Sequence, residues 1–479
     1  MEDNLDIYTG TLEYKDIEFS FVFDKTELRL IPPKGKGDDI FTQWFTKEVA
    51  KGMYIQGDPP KIEAPYLVGK CSETQKTIVF ITKQNANIGF KNHVFFVELF
   101  AYIMCDWDIH GVSKLTITSP ELDCIYPVSQ GYNCSFDRHT VGNTGVFSIT
   151  TEDFSVTTTE KQSFKIDETD VTVSFGISRK HSSKVGDPPL TLHSTMILEF
   201  QETDDFSFVM RVWHVAKEFL HFMCYRRNVN LQSADLSTPT EGGKTQKFAT
   251  LYPLDDVKDY EPETLQKGRY INLSFILGSE GNILNDIASR TLYTRHIPET
   301  HISGNRINAA RFIMITAAFE WEFGRAYPEG ITKSKETLEV EATATAEIEK
   351  LIENSTGAIK KKYKFLRKLV KSDSLQSEII QVGKDLDDII GVFGKRLYAL
   401  NKTELIYSEM GERLSDQRNH YAHGDLDIDF IDLSLLDVVY MERILYAMQL
   451  KYHGVTKGNI QKAINALFRC GIMLTTEES

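Results

Sequence analysis

The segment Arg418-Asn419-His420-Tyr421-Ala422-His423, followed by Gly424-Asp425, puts an arginine, an asparagine and a histidine within six residues. Those side chains suit cleavage of an RNA phosphodiester. A histidine takes the proton of a 2′-hydroxyl, or gives one to a leaving 5′-oxygen, near neutral pH. An arginine grips the phosphate bidentately and stabilises the charge that builds in the transition state. Asn419 and His423 stand at i and i+4, so on a helix they share a face and the amide can orient the imidazole. Arg418 points about 140° away from His423 on an ideal helix, so a long reach, a kink or a second protomer must complete the site. Spacing alone is weak evidence: Arg290/His296, Arg295/His301 and Arg413/His420 also fall within a loose spacing of four to six intervening residues.

A second candidate is the basic run Lys360, Lys361, Lys362, Lys364, Arg367, Lys368 and Lys371, interleaved with Tyr363, Phe365, Leu366 and Leu369. It suits contact with an RNA backbone, the aromatics packing inward or stacking on bases. The bland reading is a solvated helix face docked by its apolar residues. Three other clusters carry less. Gly243-Lys244-Thr245 ends like a phosphate-binding loop, but Thr238 stands where that motif needs glycine. Asp106-Trp107-Asp108-Ile109-His110 has metal ligands without a second cluster, and Cys134 has no fixed base beside it, though Arg138 and His139 follow.

The elements that must position these groups divide the chain. Residues 1–235 read as β-rich: KTIVFIT at 76–82, and the alternation of Phe164, Ile166, Val171, Val173 and Phe175, mark short strands of a sandwich or curved antiparallel sheet. Near residue 205 the period changes. Val209, Val212, Trp213, Ala216, Phe219, Leu220 and Met223 predict one amphipathic helix capped by Asp204 or Asp205. Ser233–Thr245 reads as a polar loop, and 236–300 as a mixed connecting segment. Residues 301–479 read as a helical bundle, with Ala309–Phe323 its central, buried helix. Further helices are marked by Ile379–Leu397, by Leu436–Met448 closed by Gly454, and by Ile460–Phe468. The fold class is therefore α+β.

With 479 residues, 41% hydrophobic and 25% charged, the chain is globular rather than disordered. The net charge of −14 argues against a general nucleic-acid binder, but 301–479 carries 24 basic and 26 acidic residues, so the acidity belongs mainly to the first 300. No apolar run approaches the roughly 20 residues of a membrane helix. The start MEDNLDIYTG does not read as a signal peptide, and six scattered cysteines without C-x-x-C fit reduced thiols, so a cytoplasmic protein is expected.

Residues 301–479, with Arg-Asn-x-x-x-His before the penultimate helix, resemble a HEPN domain. More specifically, AARFIMITAAFEWEF and RNHYAHGD resemble the ApeA-like HEPN proteins of bacterial antiphage defence. The β-rich part resembles the N-terminal domain of that group by architecture, without a sharp motif. The resemblance implies a metal-independent endoribonuclease with no cofactor, acting in abortive infection. Arg418 and His423 would be its catalytic pair and Asn419 the polar residue beside them. It also implies a homodimer or higher homo-oligomer with both motifs lining one cleft, and a phage-derived or small-molecule trigger at the N-terminal domain. Some HEPN toxins carry a tyrosine two residues after the histidine; here that position is Asp425, so their regulation does not carry over. The competing expectation is a non-catalytic dimerisation or RNA-binding scaffold with a ligand-sensing β domain. A metal-dependent hydrolase in the β-rich part is a third.

Overall fold

The computed structural model describes residues 5–137, 146–254, 268–370, 373–425 and 429–474. Lys371, Arg138 and His139 lie outside the described residues. The chain folds into two compact units, one of residues 1–267 with 280–289 and one of residues 268–279 with 290–479. The architecture is α+β. The segment 236–300 is shared between the units.

In the first unit fourteen strands join edge to edge in one antiparallel sheet. Period-2 sequence builds it. Tyr8–Tyr14 buries Tyr8, Gly10, Leu12 and Tyr14 while Thr11 and Glu13 stay exposed. Phe21 and Phe23 of the next strand meet the Phe80 ring edge-on, each at 5.2 Å between centroids. The predicted helix is present as α1 (Phe206–Cys224), and Asp205 caps it through Ser207 N at 2.9 Å. Its buried face meets the longest hairpin, Phe175 against Phe219 and Phe200 against Phe208. The stretch read as a polar loop, Ser233–Thr245, departs from expectation. Ala234–Pro239 is an interior strand paired on both sides, to Val112–Thr118 and to Thr245–Pro253. Ladder hydrogen bonds on both edges outweigh the low strand propensity of its polar residues. Only the turn between those strands is loop, with Gly242 and Gly243 at φ of +106° and +76°.

The second unit is helical. Its main helices are α2 (Ala309–Ala326), α3 (Lys335–Glu353), α4 (Gly357–Val370), α5 (Leu375–Leu400), α6 (Tyr407–Ala422), α7 (Ser434–Tyr452) and α8 (Lys457–Leu467). Side-chain oxygens of Asn308, Ser334 and Ser374 cap α2, α3 and α5. The central helix is α7, not α2 as its composition suggested. Thirteen of α7's nineteen residues are buried, whereas α2 exposes Met314 and Trp321 along one side. Several polar groups that α7 buries bind neighbouring helices. Asp437 accepts from Arg413 Nε at 2.7 Å and from the Tyr398 hydroxyl. Glu442 pairs with Arg311 at 2.6 Å, and Gln449 donates to Glu322 at 3.1 Å. These bonds fix α5, α6 and α2 in register around α7, because breaking any one leaves a buried charge or dipole unmatched. Among the described residues no helix is long and apolar enough to cross a membrane.

Candidate functional site

Helix α6 owes its orientation to the buried side chains of Met410, Leu414, Gln417 and Tyr421, spaced four, three and four apart, with Gly411 buried beside them. Tyr421 sits edge-on to Phe312 of α2 at 5.4 Å and to Phe430 at 6.1 Å. The Gln417 carbonyl accepts from Ile431 N at 2.7 Å and Ser434 Oγ at 3.0 Å, tying the start of α7 to the end of α6. With that face turned inward, Asn419, His420 and His423 fall on the exposed side. At 100° per residue they span an arc of about 100°. The helix ends on His423, whose N–H donates to Asn419 O at 3.0 Å, and Gly424 reverses the chain at φ +96°. Asn419 and His423 are thus brought together as the i, i+4 spacing predicts.

Arg418 is not brought to them. It lies on the other flank of α6, where its Nη2 donates to Glu320 Oε2 of α2 at 2.7 Å. Both side chains are partly exposed, 39% for the arginine and 29% for the glutamate. The geometry within one protomer therefore reproduces the separation seen on the helical wheel. The guanidinium keeps donors that a second anion can reach.

Two carboxylates in this place escape sequence reasoning. Burial pushes the Glu320 carboxyl up, and the Arg418 guanidinium pulls it back down. Glu378, in the first turn of α5, is pushed up to about 8, first by burial and then by repulsion from Glu320 and Asp373, with Arg418 opposing. Burial thus pushes both carboxyls toward their neutral forms, repulsion adds to it at Glu378, and Arg418 opposes the shift for each. The only signal in the sequence is a polar residue on each of two apolar helices, which many surface positions share. His420 is a further unforeseen member: its Nδ1 lies 3.3 Å from Asp425 Oδ2, so the carboxylate beside the tip engages His420 and not His423.

The basic run forms α4, and none of its fourteen residues is buried. Arg367 reaches Glu349 of α3 at 3.3 Å; Lys361, Lys362, Lys364 and Lys368 are exposed and Lys360 half-buried. Phe365 and Leu366 point to solvent, unlike a helix docked by all its apolar residues.

The weaker clusters find no site. Gly243-Lys244-Thr245 is a turn leading into a strand, without the helix a phosphate loop requires. Asp106 pairs with Lys76 at 3.4 Å, and among the described residues no three His, Cys, Asp or Glu side chains gather to hold a metal. All six cysteines are free thiols. Burial raises Cys470 and pushes Cys105 up to about 12, the opposite of activation. No protein-family model, curated protein or solved structure matches the chain.

Proposed function

We propose that the helical unit is a metal-independent endoribonuclease, working as a homodimer or higher homo-oligomer, in a cytoplasmic antiphage (abortive-infection) system of the HEPN kind. The observation that carries the reading is the exposed Asn419–His423 face at the end of α6, with Arg418 on its flank. Imidazole, amide and guanidinium are the groups an RNA transesterification needs, and they lie on one accessible helix end.

In the reaction His423 takes the proton of the 2′-hydroxyl as the 2′-oxygen attacks phosphorus. The P–O5′ bond breaks, and the departing 5′-oxygen receives a proton from His423 of a second copy or from water. The products are a 2′,3′-cyclic phosphate and a 5′-hydroxyl. Arg418 holds the non-bridging oxygens as the phosphorane forms, and Asn419 keeps the imidazole aimed. Because Arg418 and His423 diverge by about 140° on one helix, the arginine that serves a given histidine comes from a facing copy. The lysines Lys361, Lys364 and Lys368, with Lys360, Lys362 and Arg367 beside them, draw the RNA backbone in. The acidic β-rich unit repels RNA and receives the trigger.

Purified protein should cleave RNA in excess chelator, and His423→Ala or Arg418→Ala should each remove the activity. Full activity in both variants ends the assignment. A second reading, a non-catalytic scaffold, draws support from the Arg418–Glu320 pair, which gives the arginine a structural partner. RNA binding without cleavage under every activating condition favours it.

A further inference from the structure

Helices α3 and α4 are joined by three residues, 354–356, and so form an antiparallel hairpin. The half-buried positions of α4, namely Lys360, Tyr363, Arg367 and Val370, recur at three and four residues and mark the side turned to α3. Counted round the wheel from that side, Lys361, Lys364 and Lys368 lie about 100° one way. Ile359 and Leu366 lie about 70° the other way, and Phe365 lies opposite α3, between them and the lysines. On α3 the inward side is marked by Glu341, Ala344, Thr345, Ile348 and Ile352. Val340 and Leu351 lie about 90° from it, turned in the sense that, for antiparallel neighbours, brings them to the same face as Ile359 and Leu366. One face of the hairpin thus presents Val340, Leu351, Ile359 and Leu366, with Phe365 on its outer edge, each 44–64% exposed. Glu347 borders this stripe on α3 and Lys362 lies within it on α4. The lysine-rich flank lies beyond Phe365, toward the opposite face.

The charges are segregated between the two helices. Helix α3 holds six acidic and two basic residues, while α4 holds six basic and none acidic. A surface so divided is complementary to itself. A twofold axis along the hairpin lays the acidic α3 of one copy over the basic α4 of the other, whereas an axis across it sets like over like.

We propose that this face docks on the same face of a second copy of the chain, closing a four-helix bundle with the apolar stripes as its core. The lysine flank, Lys362 excepted, stays open to RNA, and the two-copy nuclease acquires a named contact. The hairpin roots near the candidate site: Lys333, just before α3, pairs at 3.1 Å with Asp373, one of the carboxylates that repel Glu378. The inference deepens the proposed function in naming its partner surface, yet it stands or falls separately.

Sedimentation velocity of the full-length protein without RNA tests it. Wild type should be dimeric at micromolar concentration, with an affinity that weakens as salt rises. Phe365→Glu/Leu366→Glu should sediment as a monomer, with unchanged circular dichroism. Glu347→Lys and Lys362→Glu should each weaken the dimer about fivefold or more, since the pair occurs twice, and the double reversal should restore it. A monomeric wild type, or a dimer indifferent to Phe365→Glu/Leu366→Glu, overturns the proposal. So does a monomer whose RNA binding is lost in that variant, which would assign the stripe to nucleic acid. A dimer that cleaves nothing sinks the nuclease and leaves the docking face; a monomer that cleaves sinks the docking face and the facing-copy arginine while leaving the nuclease chemistry.

Discussion

Replacing Glu378 by glutamine removes a titration that the fold should feel. Glu378 titrates at about 8 in the folded protein against 4.5 for a free carboxyl. Between those values the folded chain holds a proton that the unfolded chain has released, so stability falls as pH rises through the window. Below about 4.5 both states are protonated, and the burial of the neutral acid carries no penalty from this source. Above about 8 both are ionised and the loss is complete. A tenfold change in proton affinity is worth about 1.4 kcal/mol, which sets an upper bound of about 5 kcal/mol. The side chain is only half-buried and water screens it, so about 1–2 kcal/mol is the realistic size. Glu378→Gln keeps the shape without the charge. Urea unfolding, followed by hydrogen exchange in the peptides of α5, should find variant and wild type equal near pH 4.5. The variant should be ahead by about 1–2 kcal/mol at pH 8.5. Curves that stay parallel across the window would refute the picture of two carboxylates crowding one guanidinium. Arg418→Ala should push the same titration higher, since the arginine favours the ionised carboxylate.

Other perturbations probe the scaffold and the RNA face. Glu121→Ala should cost about 3–5 kcal/mol by stranding Arg226, its buried partner at 2.6 Å; urea melts of the β-rich unit measure it. A Cβ added at Gly383 of α5 would lie 2.4 Å from the Tyr407 ring, so Gly383→Ala should destabilise by about 1–3 kcal/mol, read as a lower urea midpoint. Lys361→Gln/Lys364→Gln/Lys368→Gln should weaken single-stranded RNA binding and flatten the salt dependence by about 0.7 per lysine in contact, seen by fluorescence anisotropy at several salt concentrations.

How much was legible follows from where the information lies. The shared face of Asn419 and His423 could be read from their i, i+4 spacing; the packing of Met410, Leu414 and Tyr421 is what turns that face outward. Helix α1 was legible down to its cap because its apolar residues repeat with the helical period. The mistaken centre of the bundle has a physical cause. α2 and α7 are both rich in apolar residues, and only packing shows that α7 is enclosed while Trp321 of α2 spends its indole N–H on Thr291 O at 2.7 Å beside solvent. Ala234–Pro239 hid as a loop because its neighbours in the sheet, not its own residues, make it a strand. Glu320 was invisible as a partner of Arg418, since 98 residues separate them and no local pattern links two polar positions on different helices. The divergence of Arg418 and His423 was foreseen from helical geometry.

The most direct test of the central claim sequences the RNA ends left by the purified wild-type protein and by His423→Ala, both in excess chelator. Cleavage by the wild type alone, leaving 2′,3′-cyclic phosphates and 5′-hydroxyls, is the predicted result. Intact RNA with both proteins, or the same cuts with both, contradicts it.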